Sequence, residues 1–131
     1  MSIIKPQPFC YAIVQQLALG AAAVVQPNFA IGNDADFYLT EIRGSYIKAA
    51  VFTTGGILMQ VQLQQGDLFS NGAIQALSFM SGNQVPATGI PIKFDQPIKI
   101  PRNSVIQVQL TNADAAAIAA LQVQFWGFKA E

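Results

Sequence analysis

The sequence predicts an all-β protein, an antiparallel β-sandwich of about eight strands with at most one short helix. Three observations lead there. Two stretches near the C-terminus alternate strictly. Ile106, Val108 and Leu110 alternate with Gln107 and Gln109, and Leu121, Val123 and Phe125 alternate with Gln122, Gln124 and Trp126. Period two is the spacing of a strand with one face on a core and the other on something polar. A third stretch repeats it, with Ile57, Met59, Val61 and Leu63 set against Leu58, Gln60, Gln62 and Gln64. Glycine and proline punctuate the rest at short intervals, as they do between short strands. A sheet that is apolar on one face needs a second layer to cover it, hence a sandwich.

In chain order, residues 1–8 carry prolines at Pro6 and Pro8 and no period, and read as an extended arm. Residues 9–131 read as one domain. Phe9 to Asn33 contains no charge, and three readings compete for it. A membrane-spanning helix needs about 20 apolar residues, but Gln15, Gln16, Gln26, Pro27 and Asn28 interrupt the run. A secretory signal would use Lys5, the apolar run and Ala21-Ala22-Ala23 as its cleavage site, and the same glutamines oppose it. The third reading is a strand through Tyr11 and Ile13, a turn at Gly20, and a strand through Val24, Val25, Phe29 and Ile31. It is the one preferred.

Gly32-Asn33-Asp34 reads as a turn. Asp36 to Gly44 follows as a strand, with Phe37 and Leu39 on one face and Tyr38, Thr40 and Ile42 on the other. Gly44 is expected to end it, and Tyr46 to Phe52 is a further β-prone run. Gly55-Gly56 makes the next turn. Residues 65–89 are the least regular, with turn signals at Gly66-Asp67, Ser70-Asn71-Gly72 and Ser81-Gly82-Asn83 and a short strand within Ile74 to Met80. Phe69, Phe79 and Met80 fall here, either folded back as a lid on the core or facing a partner. Loops of this length in a compact domain usually carry function or contacts. Pro91, Pro97 and Pro101 then demand strands that are short, broken or at an edge, because proline cannot donate to a ladder. Asn112 to Ala120 is alanine-rich, either one helical turn capped by Asp114 or a small-residue loop.

Composition narrows function by exclusion. Hydrophobic residues make up 52% of the 131 and charged ones 11%, with seven basic and seven acidic side chains and net charge zero. A chain so poor in charge has little to keep its copies apart, so much of its surface is expected to be covered by partners. Phosphate binding requires clustered Lys and Arg, whereas Arg43, Lys48, Lys93, Lys99 and Arg102 are scattered singly. Neither nucleic acid nor an anionic membrane is an expected partner. Cys10 is the only cysteine and there is no histidine. That rules out an intrachain disulfide, a cysteine-based metal site and any Ser-His or Cys-His triad. Cys10 reads as a small apolar strand residue.

No catalytic, metal or cofactor site is expected. Asp34, Asp36 and Glu41 are close enough in sequence to suggest paired carboxylates, but a capped turn and a solvated strand end explain them better. Asp67, Asn71, Asp95 and Asn112 lack the spacing of a calcium loop, and Gly55-Gly56 lacks the lysine of a phosphate loop. The glutamine rows say more. Gln60, Gln62 and Gln64, Gln107 and Gln109, and Gln122 and Gln124 each line an outward strand face. A solvated face usually carries Lys or Glu, which also discourage edge-to-edge pairing. A glutamine both donates and accepts, and it can be covered by a neighbour without stranding a charge. These seven residues, with Phe69 and Phe79, are the candidate interface.

One cadence has a counterpart. It runs from Asp36-Phe37-Tyr38-Leu39 and Ile42-Arg43-Gly44 through Gln60-Val61-Gln62-Leu63 to Gly89-Ile90-Pro91, Gln96-Pro97-Ile98 and Pro101. It continues with Ile106-Gln107-Val108 and Asn112 and ends on Val123-Gln124-Phe125-Trp126-Gly127-Phe128-Lys129. Over roughly residues 29 to 129 this resembles the small β-sandwich virion proteins of tailed bacteriophages, the decoration, cement and minor structural proteins. The resemblance implies a jelly-roll-like sandwich and a non-enzymatic subunit on the capsid surface, made in the host cytoplasm. It would bind the major capsid protein and assemble as a dimer or trimer. A second expectation is a carbohydrate- or receptor-binding sandwich of a phage fibre or tail, with Trp126, Tyr38 and Tyr46 as stacking rings.

Overall fold

The computed structural model describes residues 7–17, 23–48, 57–63, 66–70, 72–75, 80–82, 90–112 and 118–130. Among these the regular structure is all strand. The elements are β1 (Gln7–Leu17), β2 (Ala23–Val25), β3 (Asn28–Ala30), β4 (Asp36–Lys48), β5 (Ile57–Leu63) and β6 (Gly66–Asp67). They continue with β7 (Ile74–Gln75), β8 (Met80–Gly82), β9 (Ile92–Ile100), β10 (Val105–Asn112) and β11 (Ile118–Ala130). One sheet runs β1-β11-β4, with β8 and β9 both on the far side of β4. The other places β2 and β3 on one side of β10, β5 on its other side, and β6 and β7 beyond β5.

The short strands are pieces of broken ones. β2 and β3 keep a single register along β10, Val25 opposite Leu110 and Phe29 opposite Ile106. Gln26 and Pro27 interrupt, the proline because it has no N–H to give, and its carbonyl still accepts from Val108 N at 2.9 Å. β8 and β9 likewise divide one edge of β4, with β8 running parallel to it and β9 antiparallel. Taken this way each sheet has four lanes, eight in all. The first lane pairs with the last, the second with the seventh, the third with the sixth and the fourth with the fifth. That is one long hairpin rolled over itself, the jelly-roll arrangement.

The predicted alternation holds in β5, β10 and β11. Ile57, Met59 and Val61, Ile106, Val108 and Leu110, and Leu121, Val123 and Phe125 fill the space between the sheets. Each fully buried aliphatic or aromatic side chain of this kind contributes about 1.5–3 kcal/mol. Phe9 to Val25 forms strands where it is described, β1 and β2. Gln7 and Pro8, expected in an arm, belong to β1, and residues 1–6 lie outside the described residues.

β4 departs from the expectation in two places. Trp126 pairs with Glu41 but Gly127 pairs with Leu39, so Thr40 is an extra residue in β4. Such a bulge reverses the parity of the side chains beyond it. Ile42 is therefore 0% exposed in the core, not beside Tyr38 and Thr40 on the outside, and Glu41 escapes burial. Gly44 does not end the strand. It pairs with Val123 on one side and Met80 on the other, and β4 continues to Lys48. Within Ile74 to Met80, where one short strand is expected, Ile74 and Gln75 form β7 in the second sheet and Met80 opens β8 in the first, and residues 76–79 lie outside the described residues. Asn112 closes β10 and Ile118 opens β11. Asp114 lies outside the described residues, as do the turns expected at Gly20 and Gly55-Gly56.

The bulge also explains one glycine. A Cβ at Gly127 would sit 1.9 Å from the Tyr38 carbonyl oxygen and 3.1 Å from the Phe37 ring. Neither can move without opening the β4–β11 ladder. Gly127→Ala is expected to destabilise the fold by about 3 kcal/mol, read as the shift of a urea unfolding midpoint. An unchanged midpoint would show that this close approach does not hold the ladder.

Candidate functional site

The outer face of the second sheet gathers four of the candidate glutamines. Antiparallel register sets Gln62 opposite Gln107 and Gln60 opposite Gln109. Asn28 follows beyond Gln107, and Asp67 lies beyond Gln62. Cross-strand neighbours on one face stand about 5 Å apart, so the amides lie against one another and all four are half-buried. Gln60 Nε2 donates to Asp67 Oδ1 at 3.0 Å, and Gln107 Nε2 donates to Gln26 Oε1 at 3.3 Å. The face is a neutral mat of amides with one carboxylate at its margin.

Gln122 and Gln124 are on the other side of the molecule, on the outer face of the first sheet. There the Trp126 indole N–H donates to Gln124 Oε1 at 2.8 Å, and Gln124 Nε2 donates to Gln122 Oε1 at 2.8 Å. This makes a short polar ladder along β11. Trp126 is 37% exposed. The Arg43 guanidinium lies 5.8 Å from its ring centre, within cation–π range, and pairs with Glu41. Lys93 Nζ approaches the same carboxylate at 3.9 Å. Tyr38 and Phe128 stack nearly parallel, with ring centres 5.1 Å apart.

The seven glutamines thus do not form one surface. Two faces, back to back, carry them, and Gln64 lies outside the described residues. Phe69 is half-buried against the core with its ring 5.5 Å from Phe94, which is the lid position. Phe79 lies outside the described residues. Tyr46 is 8% exposed and belongs to the core, so it is not a surface stacking ring.

The acidic residues near the first turn are each engaged with a cation. Asp34 accepts from Lys129 Nζ at 3.2 Å. Asp36 accepts from the Arg102 backbone N–H at 2.9 Å and from its Nε at 3.3 Å, with Lys99 at 3.7 Å. Among the described residues no three His, Cys, Asp or Glu side chains come together as metal ligands. Cys10 is half-buried on β1, and burial pushes its thiol above the ordinary value.

One surface carries no mark in the alternation pattern. β1 is an edge strand, and its outer side chains include Ala12 and Val14, the latter 69% exposed. Trp126, opposite Cys10 and 37% exposed, adds ring surface beside them, whereas Phe9, 36% exposed, lies in the inward row with Tyr11 under Lys129. The only sequence signal for it was the absence of charge from Phe9 to Asn33.

Fold and surfaces together define a jelly-roll β-sandwich whose second sheet presents a chiefly neutral outer face. No family model matches the sequence, and no curated protein does. Among solved structures, the dimeric latent PorU of Porphyromonas gingivalis is similar over 97% of this chain and 13% of that one, at 12% identity and a TM-score of 0.34. The chain spans that small fraction of PorU's length, and the likeness at this score bears on neither function nor partner.

The two engaged aspartates make an acid prediction. The Lys129 hydrogen bond holds Asp34 below its ordinary value of 3.8, and the Arg102 backbone N–H does the same for Asp36. The unfolded chain then binds protons more readily than the folded one in acid. Their stabilisation is complete above 3.8 and is lost as pH falls through the lower folded values. Melting temperature should hold from neutrality to about pH 5 and fall below about pH 4, less steeply in Asp36→Asn. An equally steep fall in that variant would assign the acid sensitivity elsewhere.

Proposed function

We propose that this chain is a structural virion subunit of the capsid decoration or cement type. It binds and stabilises the major capsid lattice of a tailed bacteriophage through protein–protein contacts, without enzymatic activity. The observation that carries the reading is the amide mat of Gln60, Gln62, Gln107 and Gln109 on an otherwise nearly uncharged sheet. A solvated sheet exterior gains from charge, both for solubility and against stray pairing. A face destined to be covered gains from neutral amides, because a charge left unpaired under a partner costs several kcal/mol. Each amide can also trade its bonds to water or to its neighbour for bonds to the partner. A contact of standard size buries about 1,600 Å² in total, and a four-lane sheet face is broad enough to supply one side of it. Jelly rolls serve as capsid and lectin domains alike, so the fold is compatible with this reading without selecting it.

The test is co-sedimentation with empty capsids of the major capsid protein. The intact chain is expected to bind. Gln60→Lys combined with Gln107→Lys places two charges at the centre of the mat on half-buried outer positions. It should weaken binding at least tenfold, which corresponds to about 1.4 kcal/mol, at an unchanged melting temperature. Full binding by that variant, or none by the intact chain, would defeat the reading.

A second reading, a glycan-binding module of a fibre or tail, is favoured by one observation. Trp126 is exposed on the outer face of the first sheet, beside Arg43, Glu41 and Gln124. Aromatic faces of this kind stack on the apolar face of a sugar ring while the flanking polar groups bond its hydroxyls. The handle is narrower than expected, because Tyr46 is in the core and Tyr38 stacks on Phe128. A glycan array should then give hits that Trp126→Ala abolishes, while capsid binding is untouched. An array without hits removes this reading.

A further inference from the structure

We infer that the free edge of β1 is the surface on which two copies of this chain pair, strand against antiparallel strand. The four lanes of the first sheet would then run on into those of a second copy. A sandwich of two open sheets has four edges, and unpaired backbone N–H and C=O groups along an edge are a template for pairing with another chain. Three of the four are guarded here. β9 carries Lys93, Asp95 and Lys99, all exposed, with Pro97 and a register slip beside β4. Among the described residues β6 and β7 are two residues long each. β2 and β3 are three residues long each, divided by Gln26 and Pro27. Lysine, proline, irregularity and shortness are the usual means of blunting an edge.

β1 has none of these from Phe9 to Gln15; its register against β11 slips only beyond, between Gln15 and Leu17. It is eleven residues long, Gln7–Leu17, contains no charged residue, and has its one proline at the second position. At roughly 3.3 Å per residue the regular run Phe9 to Gln15 presents an edge on the order of 23 Å long. Among the described residues its strand partner is β11, on one side only. Nor is it loosely held. Tyr11 packs edge-on against Phe9 and Phe37 at 4.8 and 4.9 Å and stacks on Phe29 at 5.4 Å, and its hydroxyl accepts from Gly32 N at 3.1 Å. The edge is a fixed ladder, ready to accept a strand.

Charge decides what that strand is. β1 offers nothing for a charged segment to recognise, and its neutral complement is itself. An antiparallel pair of identical strands has a two-fold axis, so β1 against β1 makes a closed, isologous contact that uses both open edges at once. Outer side chains such as Ala12 and Val14 then meet their own kind, with no like charges opposed. The inference deepens the assembly reading above and rests on it only in that copies associate.

Light scattering on the eluting full-length chain tests it. The intact chain should show twice the 14.0 kDa mass of one copy. Val14→Lys alters a side chain already 69% exposed and should weaken the dimer by about tenfold or more through like-charge repulsion across the axis. Ala12→Lys, at a second exposed position, serves where Val14→Lys fails to fold by circular dichroism. Gln109→Lys, on the opposite sheet, should leave the mass unchanged. In hydrogen exchange, the β1 amides turned away from β11 should be protected in the intact chain and exchange freely in Val14→Lys. A one-copy or three-copy mass for the intact chain overturns the pairing, as does a dimer untouched by both lysine variants. β1 amides protected only on capsids would assign the edge to the capsid protein and also overturn it. A monomer that still sediments with capsids defeats this pairing and leaves the proposed function standing, while a dimer that ignores capsids does the reverse.

Discussion

The fold hangs on the ladder between β4 and β11, the two longest strands, each thirteen residues. They occupy the middle of the first sheet, and every other strand of that sheet is attached to one of them. The extra residue at Thr40 sets what each strand shows to either side. On one side of the bulge Phe37 and Leu39 face in; on the other Ile42 and Tyr46 do. A strict alternation through the same stretch would put Glu41 into the core and Ile42 into solvent. Either error would be costly, since a buried unpaired carboxylate loses far more in desolvation than packing returns. Gly127 makes the bulge possible by letting the β4 backbone approach where a side chain would stand. The polar cluster on the outer face follows from the same offset, which places Glu41 opposite Trp126 and Arg43 opposite Gln124.

Much of this was legible in the residues, and what was not has physical causes. β5, β10 and β11 could be read because their apolar and polar positions alternate without exception, and burial follows that pattern residue by residue. The two-sheet arrangement followed from the need to cover one-sided strands. β4 was misread at Ile42 and Gly44 because a bulge belongs to a pair of strands. Nothing within Asp36–Lys48 announces that Gly127 will stand opposite Leu39. Tyr46 looked available to a ligand because a tyrosine is at home on a surface or in a core, and parity beyond the bulge decided for the core. The glutamine rows were legible as outward rows, but not as two separate faces. Strand order is a long-range property, and only the rolled hairpin puts β5 and β10 on one sheet and β11 on the other.

The surfaces differ in kind, and the difference bears on how the molecule is used. The amide mat of the second sheet is polar but neutral, and two of its amides are already matched, Gln60 with Asp67 and Gln107 with Gln26. Such a face loses little on exposure to water and little on being covered, which suits reversible attachment to a larger partner. The β1 edge is different. Its backbone groups are directional and its flanking side chains apolar, so water is a poor long-term neighbour and another strand a good one. Among the described residues the ion pairs sit elsewhere, at Asp34 and Asp36 near the first turn and at Glu41 within β4.

This division also accounts for the low charge of the chain. Fourteen ionisable side chains of the Lys, Arg, Asp and Glu types are few for a sandwich that must stay dissolved alone. Of those described, most are spent on pairs within the chain and leave little net field on either sheet. On the pairing inferred above, weak self-repulsion, an open edge and a neutral face all favour association. Guarded edges at β9, β2–β3 and β6–β7 would then stop that association at a defined contact instead of letting it grow into fibres. An edge left open by accident would be a hazard on so uncharged a chain. Placed among guarded ones, and braced by Tyr11, it has the form that the inferred pairing requires.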